Sequence, residues 1–247
     1  LDNSKGNTMW LLLLGCIGSK SSDSATDSHS LCAPELNQVF ELFPTFPSTQ
    51  IHADVAFDGQ DIWVVFNIPN EDADFDVYLA SMDCSGSIIQ QPTHIVQLSD
   101  VNQTTPRIAI SQSTLLVAAQ GDNGNGGNNL SIHLYVQDFN GTELLNQPWT
   151  PEGIAESNRW LPSIVGTDNG FWIAGAVANE SYFRTLVQRL DSSGQAVNDA
   201  QWVGNDTYAV FPNIDGNDSQ YVVAWEASDD NVEWLTGGIE GPNDDLM

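Results

Sequence analysis

Apolar and polar residues alternate with a period of two along much of this chain, and no stretch carries the spacing of a long helix. Val77-Tyr78-Leu79 and Ile132-His133-Leu134 show the alternation expected of strands with two different faces. Other runs are apolar throughout, such as Trp63-Val64-Val65-Phe66 and Tyr221-Val222-Val223-Ala224-Trp225, and these predict strands buried on both faces. Between the runs lie Asp58-Gly59, Asp168-Asn169-Gly170 and Asn217-Asp218, residues that tolerate the positive φ of tight turns.

The pattern repeats. With Val55, Ile108, Ile164 and Ile214 as anchors, the residue two positions earlier is Ala53, Pro106, Pro162 and Pro212. Eight positions after each anchor stand Trp63, Leu116, Trp172 and Val222, and the next two positions are apolar or small in every unit, with no gap required. Further on, Gly86, Gly141 and Gly194 each follow an aspartate by three residues (Asp83, Asp138, Asp191), while Gly241 follows Gly238. Each unit of roughly fifty residues therefore reads as strand, turn, strand, loop, strand, turn, strand, which is the content of a propeller blade.

These residues resemble the repeats of secreted bacterial β-propeller proteins, with a Pro-x-Ile start, an apolar second strand and an Asp-x-x-Gly turn. The resemblance covers residues 50 to 247 and implies an all-β fold of four-stranded antiparallel blades, with units near 50–103, 104–159, 160–209 and 210–247. A β-sandwich or an open solenoid is the competing architecture. The fourth unit ends before a last strand. Either Asn37 to Phe43 returns to close a four-bladed ring, or the ring is incomplete because the chain is a piece of a longer propeller. The start on Leu1 rather than Met favours the second reading.

Residues ahead of the repeats carry an address. Met9-Trp10-Leu11-Leu12-Leu13-Leu14-Gly15-Cys16 is a short apolar run ending in a small residue and a cysteine. It resembles a bacterial lipoprotein signal, which implies a signal peptide over 1–16 with Cys16 acylated. The run is shorter than usual, and its n-region has one Lys5 offset by Asp2. A Ser- and Asp-rich segment over 17–45 cannot bury enough apolar surface to fold and predicts a flexible tether. The expected location is the cell envelope, lipid-anchored, periplasmic or on the surface.

Net charge is −27, from six Lys and Arg against 33 Asp and Glu, and such a field repels phosphate backbones, so nucleic acid is excluded as a partner. Of the three cysteines, Cys32 and Cys84 form a candidate disulfide pair, with two free thiols as the alternative. Asp72, Asp74, Asp76 and Asp83 have the spacing of hard-oxygen ligands and make a candidate Ca²⁺ set, although Val77 stands where an EF-hand-like loop needs glycine. The alternative is an acidic solvated loop. His133 is expected to face solvent. Asn-x-Ser/Thr sequons at Asn102, Asn129, Asn140, Asn179, Asn205 and Asn217 reflect Asn-rich loops.

No serine elbow, zinc motif or phosphate loop is present. Asp168-Asn169-Gly170-Phe171-Trp172 approaches the repeated turn of sialidase-type propellers, but its tryptophan is one residue early and Gly166 replaces the leading serine. The chain therefore reads as a membrane-anchored propeller scaffold binding a protein or glycan, without catalysis. The alternative is a propeller hydrolase or lyase acting on extracellular polysaccharide.

Overall fold

The computed structural model describes residues 10–12, 39–41, 51–69, 75–96, 102–122, 130–152, 154, 158–179, 182–203 and 209–227. Every regular element among them is a strand. Cys16, Cys32, Asp72 and Asp74 lie outside the described residues, as do Val232 and Trp234 of the fourth unit. Strands β1 (Trp10–Leu12) and β2 (Val39–Glu41) pair with each other, so β2 does not complete the fourth unit.

Three four-stranded antiparallel sheets follow, each built from consecutive strands. The first is β3 (Ile51–Phe57), β4 (Asp61–Pro69), β5 (Phe75–Asp83) and β6 (Ile88–Val96). The second is β7 (Gln103–Ser111), β8 (Thr114–Asp122), β9 (Leu130–Asp138) and β10 (Glu143–Pro148). The third is β11 (Asn158–Thr167), β12 (Gly170–Asn179), β13 (Tyr182–Leu190) and β14 (Gln201–Val203). A fourth sheet has β15 (Ala209–Gly216) and β16 (Tyr221–Ala227). The anchors occupy one register: Val55 pairs with Val64, Ile108 with Val117, Ile164 with Ile173 and Ile214 with Val223.

Local chemistry explains the turns. In Asp83-Cys84-Ser85-Gly86 the Asp83 carboxylate accepts the amides of Ser85 (2.8 Å) and Ser87 (2.9 Å), and Gly86 takes φ 85°. Asp138 does the same for Asn140 and Thr142, and Asp191 for Ser193 and Gln195, with Gly141 at φ 84° and Gly194 at 82°. Hydrogen bonds from Ser85 and Ser87 hold the Asp83 carboxyl below its usual range, and those from Thr142 do so for Asp138.

First strands of successive sheets are neighbours: β3 packs on β7, β7 on β11 and β11 on β15. The sheets thus fan out from a common line of first strands, in the propeller-like arrangement that the repeats predict. Apolar faces meet between sheets. Trp63, Val65, Val77 and Leu79 of the first sheet pack on Leu115, Val117 and Tyr135 of the second. The other face of the second sheet, with Leu116, Ile132, Leu134 and Trp149, meets Phe171, Ile173 and Leu186 of the third. Trp172, Ala174 and Val187 then meet Ile214 of the fourth.

The fourth unit departs from expectation. The middle strands Ile62 to Phe66, Leu115 to Ala119 and Phe171 to Gly175 are buried as predicted, but Tyr221 to Trp225 is not, and Val222 is 73% exposed. Trp225 is half-buried. The reason is stacking: β16 has β15 beside it, and no further described sheet lies on its face.

At the turn end of the fan, the third and fourth units are clamped by Asp218. Its carboxylate accepts from Arg189 Nη2 (2.6 Å), Thr167 Oγ1 (2.7 Å) and the Asn169 amide (2.9 Å), bonds that hold its pKa down to about 2, with Arg189 the largest cause.

Candidate functional site

At the opposite end, where the first strands begin, each carries the same irregularity. The ladder slips between Ile51 and Ala53, Thr104 and Arg107, Trp160 and Ser163, and Val210 and Asn213. At every slip one non-glycine residue has positive φ: His52 at 49°, Thr105 at 47°, Leu161 at 53° and Phe211 at 52°. Each costs of order 1–3 kcal/mol, and such strain clusters where a fold must aim particular side chains. A proline follows three of the four, Pro106, Pro162 and Pro212, as suits a position that donates no ladder hydrogen bond.

The bulges set the next residues, Asp54, Arg107, Ser163 and Asn213, at equivalent places on four neighbouring strands. Asp54 Oδ2 accepts the Ile108 amide of the next sheet at 3.0 Å, and Ser163 Oγ accepts the Ile214 amide at 3.1 Å. Arg107, at the intervening place, has no acceptor to offer. Around them polar side chains knit one sheet to the next. Asn102 Oδ1 accepts the Phe75 amide (3.0 Å), Asn158 Oδ1 the Leu130 amide (2.8 Å) and Gln120 Oε1 the Leu161 amide (3.1 Å). Asn67 Nδ2 donates to Gln103 O (3.3 Å) from a fully buried position.

These hydrogen bonds tie each sheet to the next at this end. At these strand starts His52, Arg107, Asn213 and Phe211 are exposed, the last at 57%, and Asp54 is half-buried. The set offers one aromatic plane, one cation and several hydrogen-bonding groups. The connections from β4 to β5, β8 to β9 and β12 to β13 leave and re-enter the sheets at this end. Sequence reasoning did not single these residues out, although the three prolines before the anchors marked the bulges.

The residues that the sequence did single out are dispersed. Asp76 lies near the start of β5, 3.6 Å from His94 Nε2, and Asp83 lies at its end. Seven residues of extended strand separate them by about 23 Å, so Asp76 and Asp83 cannot ligate one ion, and the four-aspartate Ca²⁺ set is corrected on that ground. Among the described residues no group of three or more His, Cys, Asp or Glu is placed to hold a metal. Cys84 is disulfide-bonded, and its partner lies outside the described residues.

His133 is likewise corrected. It is buried rather than solvated, because β9 is covered on both faces by the neighbouring sheets. Asn146 Nδ2 donates to Ile95 O (3.3 Å), which leaves its Oδ1 to accept from His133 Nε2 at 2.7 Å. Burial holds the His133 pKa below the ordinary histidine value.

No protein family and no curated protein matches the chain. Solved structures do. An exo-β-1,3-galactanase from Phanerochaete chrysosporium, crystallised with β-1,3-galactotriose, is 16% identical with a TM-score of 0.52, over 73% of this chain and 44% of that one. An exo-β-1,3-galactanase from Clostridium thermocellum is 11% identical with a TM-score of 0.52, over 74% of this chain and 44% of that one. Both are β-propeller glycoside hydrolases. The likeness is one of fold, and this chain spans less than half the length of either galactanase.

Proposed function

We propose that this chain is part of a propeller that binds and acts on an extracellular polysaccharide at the end where the first strands begin. The observation that carries the reading is the placement of Asp54, Arg107, Ser163 and Asn213 on four adjacent strands, after four strained bulges and among inter-sheet hydrogen bonds. A pre-organised polar rim with an exposed aromatic suits a sugar, which presents hydroxyls at its edges and C–H groups on its faces. The likeness to galactan-degrading propellers supports the same reading.

Hydrolysis by the usual route requires two carboxyl groups on either side of the scissile bond. The four equivalent positions supply one, Asp54, and it already accepts an amide. Catalysis would therefore require further carboxylates beyond these four positions. A binding scaffold without catalysis is the second reading, favoured by the polar rather than acidic character of the rim. The lipoprotein resemblance extends the proposal to an envelope protein tethered through an acylated Cys16.

Affinity electrophoresis on a panel of neutral and acidic polysaccharides, with reducing-sugar release measured in parallel, tests the proposal. Retention with release supports the enzyme, and retention without release supports the scaffold. Absence of both refutes the glycan reading. Fatty-acid labelling of wild type and Cys16→Ser tests the anchor, and equal label in the two would refute it.

A further inference from the structure

We propose that the rim takes an anionic sugar, held at Arg107 by its carboxylate or sulfate group, an inference that rests on the glycan reading above. In a chain with six basic residues, four of them lie in the described part. Three of these are committed: Arg159 Nη2 donates to Ile154 O, Arg184 lies over the Trp202 ring at 4.8 Å, and Arg189 is paired with Asp218. Arg107 is exposed and has no hydrogen bond, ion pair or ring contact among the described residues.

Its place in the repeat makes that freedom informative. In two of the three junctions between first strands, the residue at this position supplies an acceptor to the next anchor amide: Asp54 to Ile108, and Ser163 to Ile214. In the shared register the anchors' amides point away from their partner strands, and Ile164 N–H does the same. At the middle junction, then, the position that supplies the acceptor elsewhere holds the Arg107 guanidinium, and no side chain among the described residues accepts the Ile164 amide. An oxyanion with two or three oxygens is complementary to a guanidinium, which binds such groups in bidentate geometry. A neutral sugar hydroxyl would gain less. The molecule's net charge of −27 disfavours anions at long range, so recognition here depends on direct contact at Arg107.

The test uses the full chain in affinity gels containing polygalacturonate, a sulfated galactan or neutral β-1,3-galactan. Wild type should be retained more strongly on one or both anionic gels than on the neutral one, with the preference collapsing at high salt. Which anionic gel retains it separates carboxylate from sulfate. Arg107→Gln should weaken anionic retention about ten-fold or more, a larger factor than its effect on neutral retention, and Arg107→Lys should restore part of it. Equal retention on all three gels, or an Arg107→Gln chain that keeps the anionic preference, overturns the inference and leaves the glycan reading standing. Retention by none of the gels overturns both.

Discussion

Gly166, on the first strand of the third sheet, lies close against Ile110 on the first strand of the second. A Cβ added there would run into the carbonyl of Ile110, a backbone atom with no rotamer to escape into. Gly166→Ala should therefore destabilise the chain by about 1–3 kcal/mol, read as a lower urea midpoint. An unchanged midpoint would contradict this close approach of the two strands. His133 makes a second prediction at this scale. Its folded pKa lies below the unfolded value of about 6.5, so burial favours the neutral ring. The contribution is fully present above that unfolded value and is lost as pH falls through it, because the unfolded chain takes up the proton first. Stability should decline from pH 7.5 to pH 5.5, and His133→Gln should remove that part of the decline. The depressed carboxylates Asp83, Asp138 and Asp218 act only below about pH 4 and do not contribute in this window. His133 was misread because period-two alternation assigns a residue to a face but does not say what covers that face. The Asp-x-x-Gly turns were legible because their chemistry is local.

Among elements, the position eight residues after each anchor is an internal control. Trp63 and Trp172 are 3% and 8% exposed, and Leu116 is fully buried, each packed between its own sheet and the next. Val222 holds the same place in the fourth unit and is 73% exposed. Trp63→Ala and Trp172→Ala should each cost about 3–5 kcal/mol by denaturant unfolding, whereas Val222→Ala should stay within about 0.5 kcal/mol. A large loss at Val222 would show that something covers the fourth sheet. The gapless register made the strands and their equivalence readable from sequence. The bulges were only half readable: the prolines announce a break in the ladder, but His52, which precedes Ala53, shows that the first unit reaches the same backbone without one. Which side chains that break would aim at the rim depends on the neighbouring sheet and could not be seen in a single unit.

For the molecule as a whole, the sequence carried the architecture further than the site. A stack of sheets follows from repetition, because a lone blade cannot cover its own faces. A site drawn from four strands fifty or more positions apart leaves no local motif. Of the candidate ligands that did form a local motif, Asp76 and Asp83 are separated by the strand that the same alternation predicts. Cys84 belongs to this scale too. Pairing with Cys32 would close a loop of about fifty residues and contribute about 3–4 kcal/mol in the loop-closure account. Intact mass after alkylation without reductant should then show neither thiol labelled, and label on both would exclude the pair.

The central claim, a glycan seated at the start of the first strands, is tested most directly by hydrogen–deuterium exchange with and without oligosaccharides of β-1,3-galactan and polygalacturonate. The account predicts added protection in residues 52–56, 104–109, 160–165 and 210–215, and none in the turns around Asp83, Asp138 and Asp191. Protection confined to those turns, or no change at the four strand starts with any of the sugars, would contradict it.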